Sequence, residues 1–95
     1  MAAYLVVDID VTNPAQFEEY KKLAPAAIAR YGGRYLIRGG AYEVLEGEWK
    51  PQRLTIVEFD SMEKAKAFFT SPEYKVAIAT RAGAAKFKAL LVQGI

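Results

Sequence analysis

Three carboxylates sit where a strand should be burying carbon. Asp8 and Asp10 lie in "AYLVVDIDV" and Glu58 lies in "RLTIVEFD", and strand interiors facing a core rarely hold acids without partners. Arginines are the natural partners. "GGRYLIRGG", residues 32–40, sets two glycine pairs around a strand-like stretch with Arg34 and Arg38 inside it. A carboxylate beside a guanidinium supports two chemistries. Glu58 or Asp8 can abstract a proton from a carbonyl or phenolic substrate while Arg38 stabilises the resulting anion, or the pair can fix strand register as a structural ion pair. Trp49 stands in "GEWKPQ", where an indole covers a partner subunit or a sheet end, or lines a pocket. Tyr20, Tyr74 and Arg81 fall on helical stripes, where such side chains pack their stems and reach for water or a carbonyl.

Other chemistries are excluded by composition. The chain has no cysteine and no histidine, so it lacks zinc thiolates, imidazole metal ligands, a haem-binding histidine and a histidine-based triad. No cofactor is expected. Thirteen basic against eleven acidic residues give a net charge of +2, too small for a nucleic-acid surface. "GGRYLIRGG" also lacks the spacing of either phosphate-binding glycine motif. No apolar run approaches the roughly 20 residues of a membrane helix, and "MAAYLVVDIDV" has acids where a secretory signal needs a basic start. A cytoplasmic location is the expectation.

The elements that must position these residues are readable from periodicity. Residues 3–11 alternate, with Leu5, Val7, Ile9 and Val11 on one face and Tyr4, Val6, Asp8 and Asp10 on the other. Asn13, Pro14 and Gln16 then form a helix start. Phe17, Tyr20, Ala24, Ala27, Ile28 and Tyr31 recur at three- and four-residue steps along one stripe. Pro25 interrupts that stripe and predicts a kink, with the helix ending at Gly32–Gly33.

A single long strand is predicted from Arg34 to about Glu46, bent by a glycine bulge at Gly39–Gly40, with "GEWKPQ" as the hairpin turn. If Leu45 faces Leu54 across that hairpin, Arg38 falls diagonal to Glu58 and the two should touch at about 3 Å. Ser61 caps a second helix, which Ser71–Pro72 restarts as a second piece. "FKALLVQG" is the last strand.

The order β-α-β-β-α-β over residues 1–95, read as one domain, is that of the ferredoxin-like α+β fold: an antiparallel four-stranded sheet with its helices on one face. The other face is then bare and partly apolar, larger than monomers usually leave to water. Ninety-five residues also bury a modest fraction of their surface, so a partner chain is expected to contribute. A homodimer whose sheets face each other is the predicted assembly.

"GGRYLIRGG", "LEGEWKPQRLTIVEFDS", "AFFTSPEY" and "TRAGAA" together resemble the family known as domain of unknown function 1330, over nearly the whole chain. The resemblance implies a ferredoxin-like fold in the dimeric α/β-barrel superfamily. Relatives there include cofactor-independent monooxygenases of aromatic polyketides, lactone isomerases and haem enzymes; the last use an axial histidine that this chain lacks. The positions that match the family pattern, and that the resemblance therefore implies for a pocket, are Arg38, Trp49, Arg53, Glu58, Tyr74 and Arg81. No catalytic role comes with them. Two functions remain: a module binding a small acidic or aromatic metabolite, or an enzyme of monooxygenase or isomerase type using a carboxylate base and an arginine.

Overall fold

In the computed structural model, which describes residues 1–95, seven elements follow one another. They are β1 (Ala3–Val11), α1 (Pro14–Arg30), β2 (Arg34–Arg38), β3 (Leu54–Phe59), α2 (Met62–Phe69), α3 (Pro72–Arg81) and β4 (Ala85–Gln93). The strands form one antiparallel sheet ordered β2-β3-β1-β4. This is the ferredoxin-like α+β arrangement, with the second helical segment in two pieces.

Side-chain oxygens start all three helices. Asn13, Ser61 and Ser71 each accept a bond from the backbone N–H three residues on, at 3.1 to 3.2 Å. α1 runs through Pro25 without a break, although the missing N–H removes one rung. It ends where Gly33 donates to the Ile28 carbonyl at 2.9 Å. A Cβ at Gly33 would stand 2.7 Å from the Phe59 ring and 2.8 Å from Ile28, so only glycine lets the chain turn this close to the core.

Alternation sorts β1 and β3 into two faces. Leu5, Val7, Ile9, Val57 and Phe59 are buried under the helices against Phe17, Ala24, Ile28 and Phe68. Each large apolar side chain so buried contributes about 1.5–3 kcal/mol. The opposite face has no helix. It carries Val6, Ile56 and Leu90 at its centre by register, Tyr4 beside Val92, and Asp8 and Asp10 across from Lys88 and Lys86.

The second strand differs from expectation. β2 stops at Arg38, and residues 39–53 form a connection without regular structure. Gly39 takes a positive φ of 67° and donates to the Leu54 carbonyl at 2.8 Å, which turns the chain out of the sheet after a last rung. Leu45 does not pair with Leu54; it is 91% exposed. The irregularity lies between Tyr35 and Ile37, not at the glycines. That one-residue shift places Arg34 opposite Glu58 and Arg38 opposite Thr55, on different faces of the sheet.

Glu73, at the start of α3, joins the two helical segments: its carboxylate bonds Arg30 at 2.6 Å and accepts from the Tyr31 hydroxyl at 3.0 Å. Its own backbone N–H, with Tyr31 and Arg30, holds its carboxyl below the ordinary range. A carboxyl depressed on folding stabilises above its unfolded pKa and loses that contribution as pH falls through the folded one. Glu73→Gln should therefore be less stable than the parent near neutrality. The gap in urea midpoint should close as pH falls below the usual glutamate range, and a gap constant with pH would assign it to shape alone.

Candidate functional site

Between the helices and the sheet lies a cleft of about 40 Å³, more than twice the ~10–15 Å³ that one water needs. Leu5, Val7, Val57, Phe17, Phe68 and Phe87 supply its apolar walls. Its polar lining comes from α1 (Tyr20, Lys21), β2 (Tyr35, Arg38), the end of the 39–53 connection (Arg53), β3 (Thr55) and α3 (Tyr74). No carboxylate lines it.

The polar groups are graded by depth. Arg38 is exposed, Arg53 and Lys21 are half-buried, and Tyr20 and Tyr74 are buried. The cations therefore stand at the mouth and the two phenols at the floor. The Arg38 guanidinium lies 4.6 Å from the Tyr35 ring centre, a cation–π contact that leaves its N–H groups free to bind. Lys21 shares its charge with Glu18 at 3.2 Å; Arg38 and Arg53 have no acidic partner within salt-bridge range. At the floor the Tyr20 and Tyr74 hydroxyls are 2.6 Å apart. Burial first, then the neighbouring Tyr74, pushes the Tyr20 phenol well above the ordinary tyrosine range, and burial pushes Tyr35 up too. These phenols stay protonated and serve as donors.

Arg81 lies against the same wall. Its guanidinium carbon is 3.6 Å from the Phe87 ring centre and 5.6 Å from that of Tyr20, and its buried Nε has no hydrogen-bond partner.

The sheet divides the residues singled out in the sequence. Arg38, Arg53 and Tyr74 meet in this cleft, with Arg81 beside it. Glu58, Asp8 and Trp49 are on the other side. Glu58 is paired there with Arg34 rather than with Arg38, so the expected Arg38–Glu58 contact is replaced by one to the arginine four residues earlier. Glu58 also pushes up the phenol of Tyr4, its register partner, by hydrogen bonding and charge. Asp8 accepts from the backbone N–H groups of Gln52 at 2.9 Å and Arg53 at 3.4 Å, pinning the end of the 39–53 connection to the sheet. Trp49 is 62% exposed and borders an open-face hollow with Val6, Asp8, Leu54, Lys88 and Leu90.

Tyr20, Lys21, Tyr35 and Thr55 are the polar cleft residues that the sequence does not mark as a site. Tyr20 shows in the sequence only as a stripe position, whereas Tyr35, next to Arg34 in a strand, must face away from it. No group of three or more acidic, cysteine or histidine side chains gathers to hold a metal, and no helix is long and apolar enough to cross a membrane.

The structure resembles several solved ones. A protein of unknown function from Rhodopseudomonas palustris superposes with a TM-score of 0.74 at 16% identity, over 99% of this chain and 82% of its own. SnoaB, a cofactor-independent oxygenase from Streptomyces nogalater, gives 0.68 at 14%, over 99% and 93%. A dimeric ferredoxin-like protein of unknown function from Jannaschia sp. CCS1 gives 0.71 at 9%, over 99% and 100%. At these identities the likeness is one of fold. No curated protein matches the sequence. The family described as Domain of unknown function (DUF1330) matches residues 2–95, and the chain belongs to it.

Proposed function

We propose that this DUF1330 protein binds a small aromatic anion in the cleft between its helices and its sheet, and that it works as a homodimer joined through the open sheet face. The observation that carries the first part is the mouth of the cleft. Arg38 and Arg53 stand over an aromatic-walled cavity that contains no carboxylate. Unopposed guanidiniums at a low-dielectric opening attract a carboxylate or phenolate. The dimer is supported by the apolar centre of the helix-free face and by the dimeric ferredoxin-like neighbour.

Titration with benzoate, followed by amide chemical shifts, tests the anion site. Shifts should cluster at Arg38, Arg53, Tyr35 and Tyr74. Arg38→Ala should weaken binding about tenfold at low salt, because a hydrogen bond to a charged group contributes roughly 1.5–3 kcal/mol and exposure reduces it. The difference should shrink as salt is added. Benzoate that binds Arg38→Ala as it binds the parent would remove the site.

A second reading, oxidation or isomerisation of the bound anion, draws on the fold likeness to SnoaB. The cleft lining offers no carboxylate base, so the substrate would enter already ionised, or Asp8 would serve a ligand in the hollow it borders with Trp49; Glu58 does not line that hollow and is paired with Arg34. Dioxygen uptake on mixing protein and a bound phenolate separates oxidation from binding alone.

A further inference from the structure

We propose that each chain lends its partner a strand: residues 42–46 of one copy add, antiparallel, to the free edge of β4 in the other, with Val44 opposite Leu90 and Glu46 opposite Lys88. The proposal rests on the homodimer reading and names the segments that hold the two copies together.

Each segment lacks what the other has. β4 pairs only with β1 and forms one border of the sheet, so along its nine residues the outer backbone N–H and C=O groups meet no strand. The 39–53 connection has the converse shortage. "AYEVLEG" is rich in strand formers, yet no backbone group of residues 40–50 bonds to another backbone group. Every residue from 36 to 50 is exposed, and Tyr42, Val44, Leu45 and Trp49 are among the large apolar ones. The bond from the Tyr42 hydroxyl to the Pro51 carbonyl ties the two limbs of the connection at its base. The residues between them form an arm whose apolar side chains the single chain leaves in water.

One register suits both sides of the ladder. Even-numbered residues of β4 lie on the helix-free side with Val6, and odd-numbered ones on the side of Phe87 and Leu91, which pack on the core. With Val44 opposite Leu90, Tyr42 falls opposite Val92 and Glu46 opposite Lys88, which makes two apolar pairs and one of opposite charge. Neither Glu46 nor Lys88 closes a salt bridge in its own chain. On the helix side the same register sets Leu45 opposite Ala89. Ala89 is small, and with Leu5, Ala65, Phe69 and Leu91 it borders an apolar hollow of about 290 Å³, larger than the ~150 Å³ that holds benzene. Other alignments are worse. A shift of two residues sets Val44 against Lys88 or Glu46 against Leu90, and a parallel strand with Val44 at Leu90 sets Glu46 against Val92. In a two-fold dimer the exchange occurs twice.

The chain has no cysteine, so introduced thiols report the contact without background. A Glu46→Cys chain mixed with a Lys88→Cys chain and oxidised with glutathione disulfide should give a covalent heterodimer. Its yield should be about tenfold or more above that from Glu46→Cys with Ala89→Cys, whose side chains fall on opposite sides of the ladder. All three positions are exposed, so the substitutions spare the core. In the unsubstituted protein, amides within residues 42–46 should exchange about tenfold or more slowly at micromolar concentration than after dilution to single chains. Equal yields from the two mixtures, or no heterodimer from either, would overturn the exchange. Sedimentation separates that failure from failure of the dimer. A parent of twice the chain mass whose arm amides exchange at the unprotected rate leaves the sheet-face dimer standing without exchanged strands; a parent of single chain mass removes both.

Discussion

Phe68→Ala is expected to lower the stability of the protein by about 3–5 kcal/mol, the range for removing a fully buried aromatic ring. Phe68 is 0% exposed. Its ring lies 4.4 Å from the centre of Tyr74, 5.3 Å from Phe59 and 6.4 Å from Tyr31, so its loss opens a void touched by two helices and the sheet. The neighbours cannot close that void: Phe59 is wedged over Gly33 at the end of α1, and Tyr74 is bonded to Tyr20. Against a total of roughly 5–15 kcal/mol for a domain, this is a large fraction. The urea midpoint should fall steeply while the slope of the transition stays unchanged. A loss below about 1 kcal/mol would mean that the core around Tyr74 repacks, and the depth assigned to the phenol pair would be wrong.

Leu90→Asp is expected to weaken self-association by a hundredfold or more. Leu90 faces Val6 at the centre of the helix-free side and is 57% exposed in the single chain; the register carries the apolar row on to Ile56. Nearby, Asp8 and Asp10 face Lys88 and Lys86 across the β1–β4 pair, so the charges beside the apolar row are matched within the chain. A carboxylate placed in the apolar centre would be buried without a partner, at a cost of about 3–5 kcal/mol. Sedimentation velocity at micromolar concentration should show twice the chain mass for the parent and a single chain mass for the variant. A parent that sediments as one chain would remove the homodimer from the proposed function. Urea unfolding should show the variant's own chain still folded, because Leu90 is mostly exposed and is not one of the buried core residues.

Most of the architecture was legible because it rests on local signals. Asn13–Pro14, Ser61 and Ser71–Pro72 mark helix starts by side-chain chemistry that needs no tertiary context, and all three act as caps. The alternation in β1 and β3 gave the two faces. The site was less legible, because which side of a sheet a residue occupies depends on a count along the strand. Placing the irregularity at Gly39–Gly40 kept Arg38 on the same side as Glu58. Its true place, between Tyr35 and Ile37, moves Arg38 across and leaves Arg34 for Glu58. Leu36 gave no warning of this, since an aliphatic residue in a run of strand formers carries no bulge signature. The long strand failed for a related reason: "AYEVLEG" has strand-like composition, but Asp8 and the Tyr42–Pro51 bond hold the connection in another path.

That extra residue in β2 also lets two arginines four positions apart serve opposite sides of one sheet. Strict alternation would put Arg34 and Arg38 on the same face; the surplus residue between Tyr35 and Ile37 sends Arg34 to Glu58 and Arg38 to Thr55. Deleting Leu36 would straighten the strand and leave both pairings as they are, because side chains three positions apart also point to opposite faces. Among homologous chains, the entrance would therefore keep its cation where one codon is lost here, and lose it where the length is kept and the bulge is flattened.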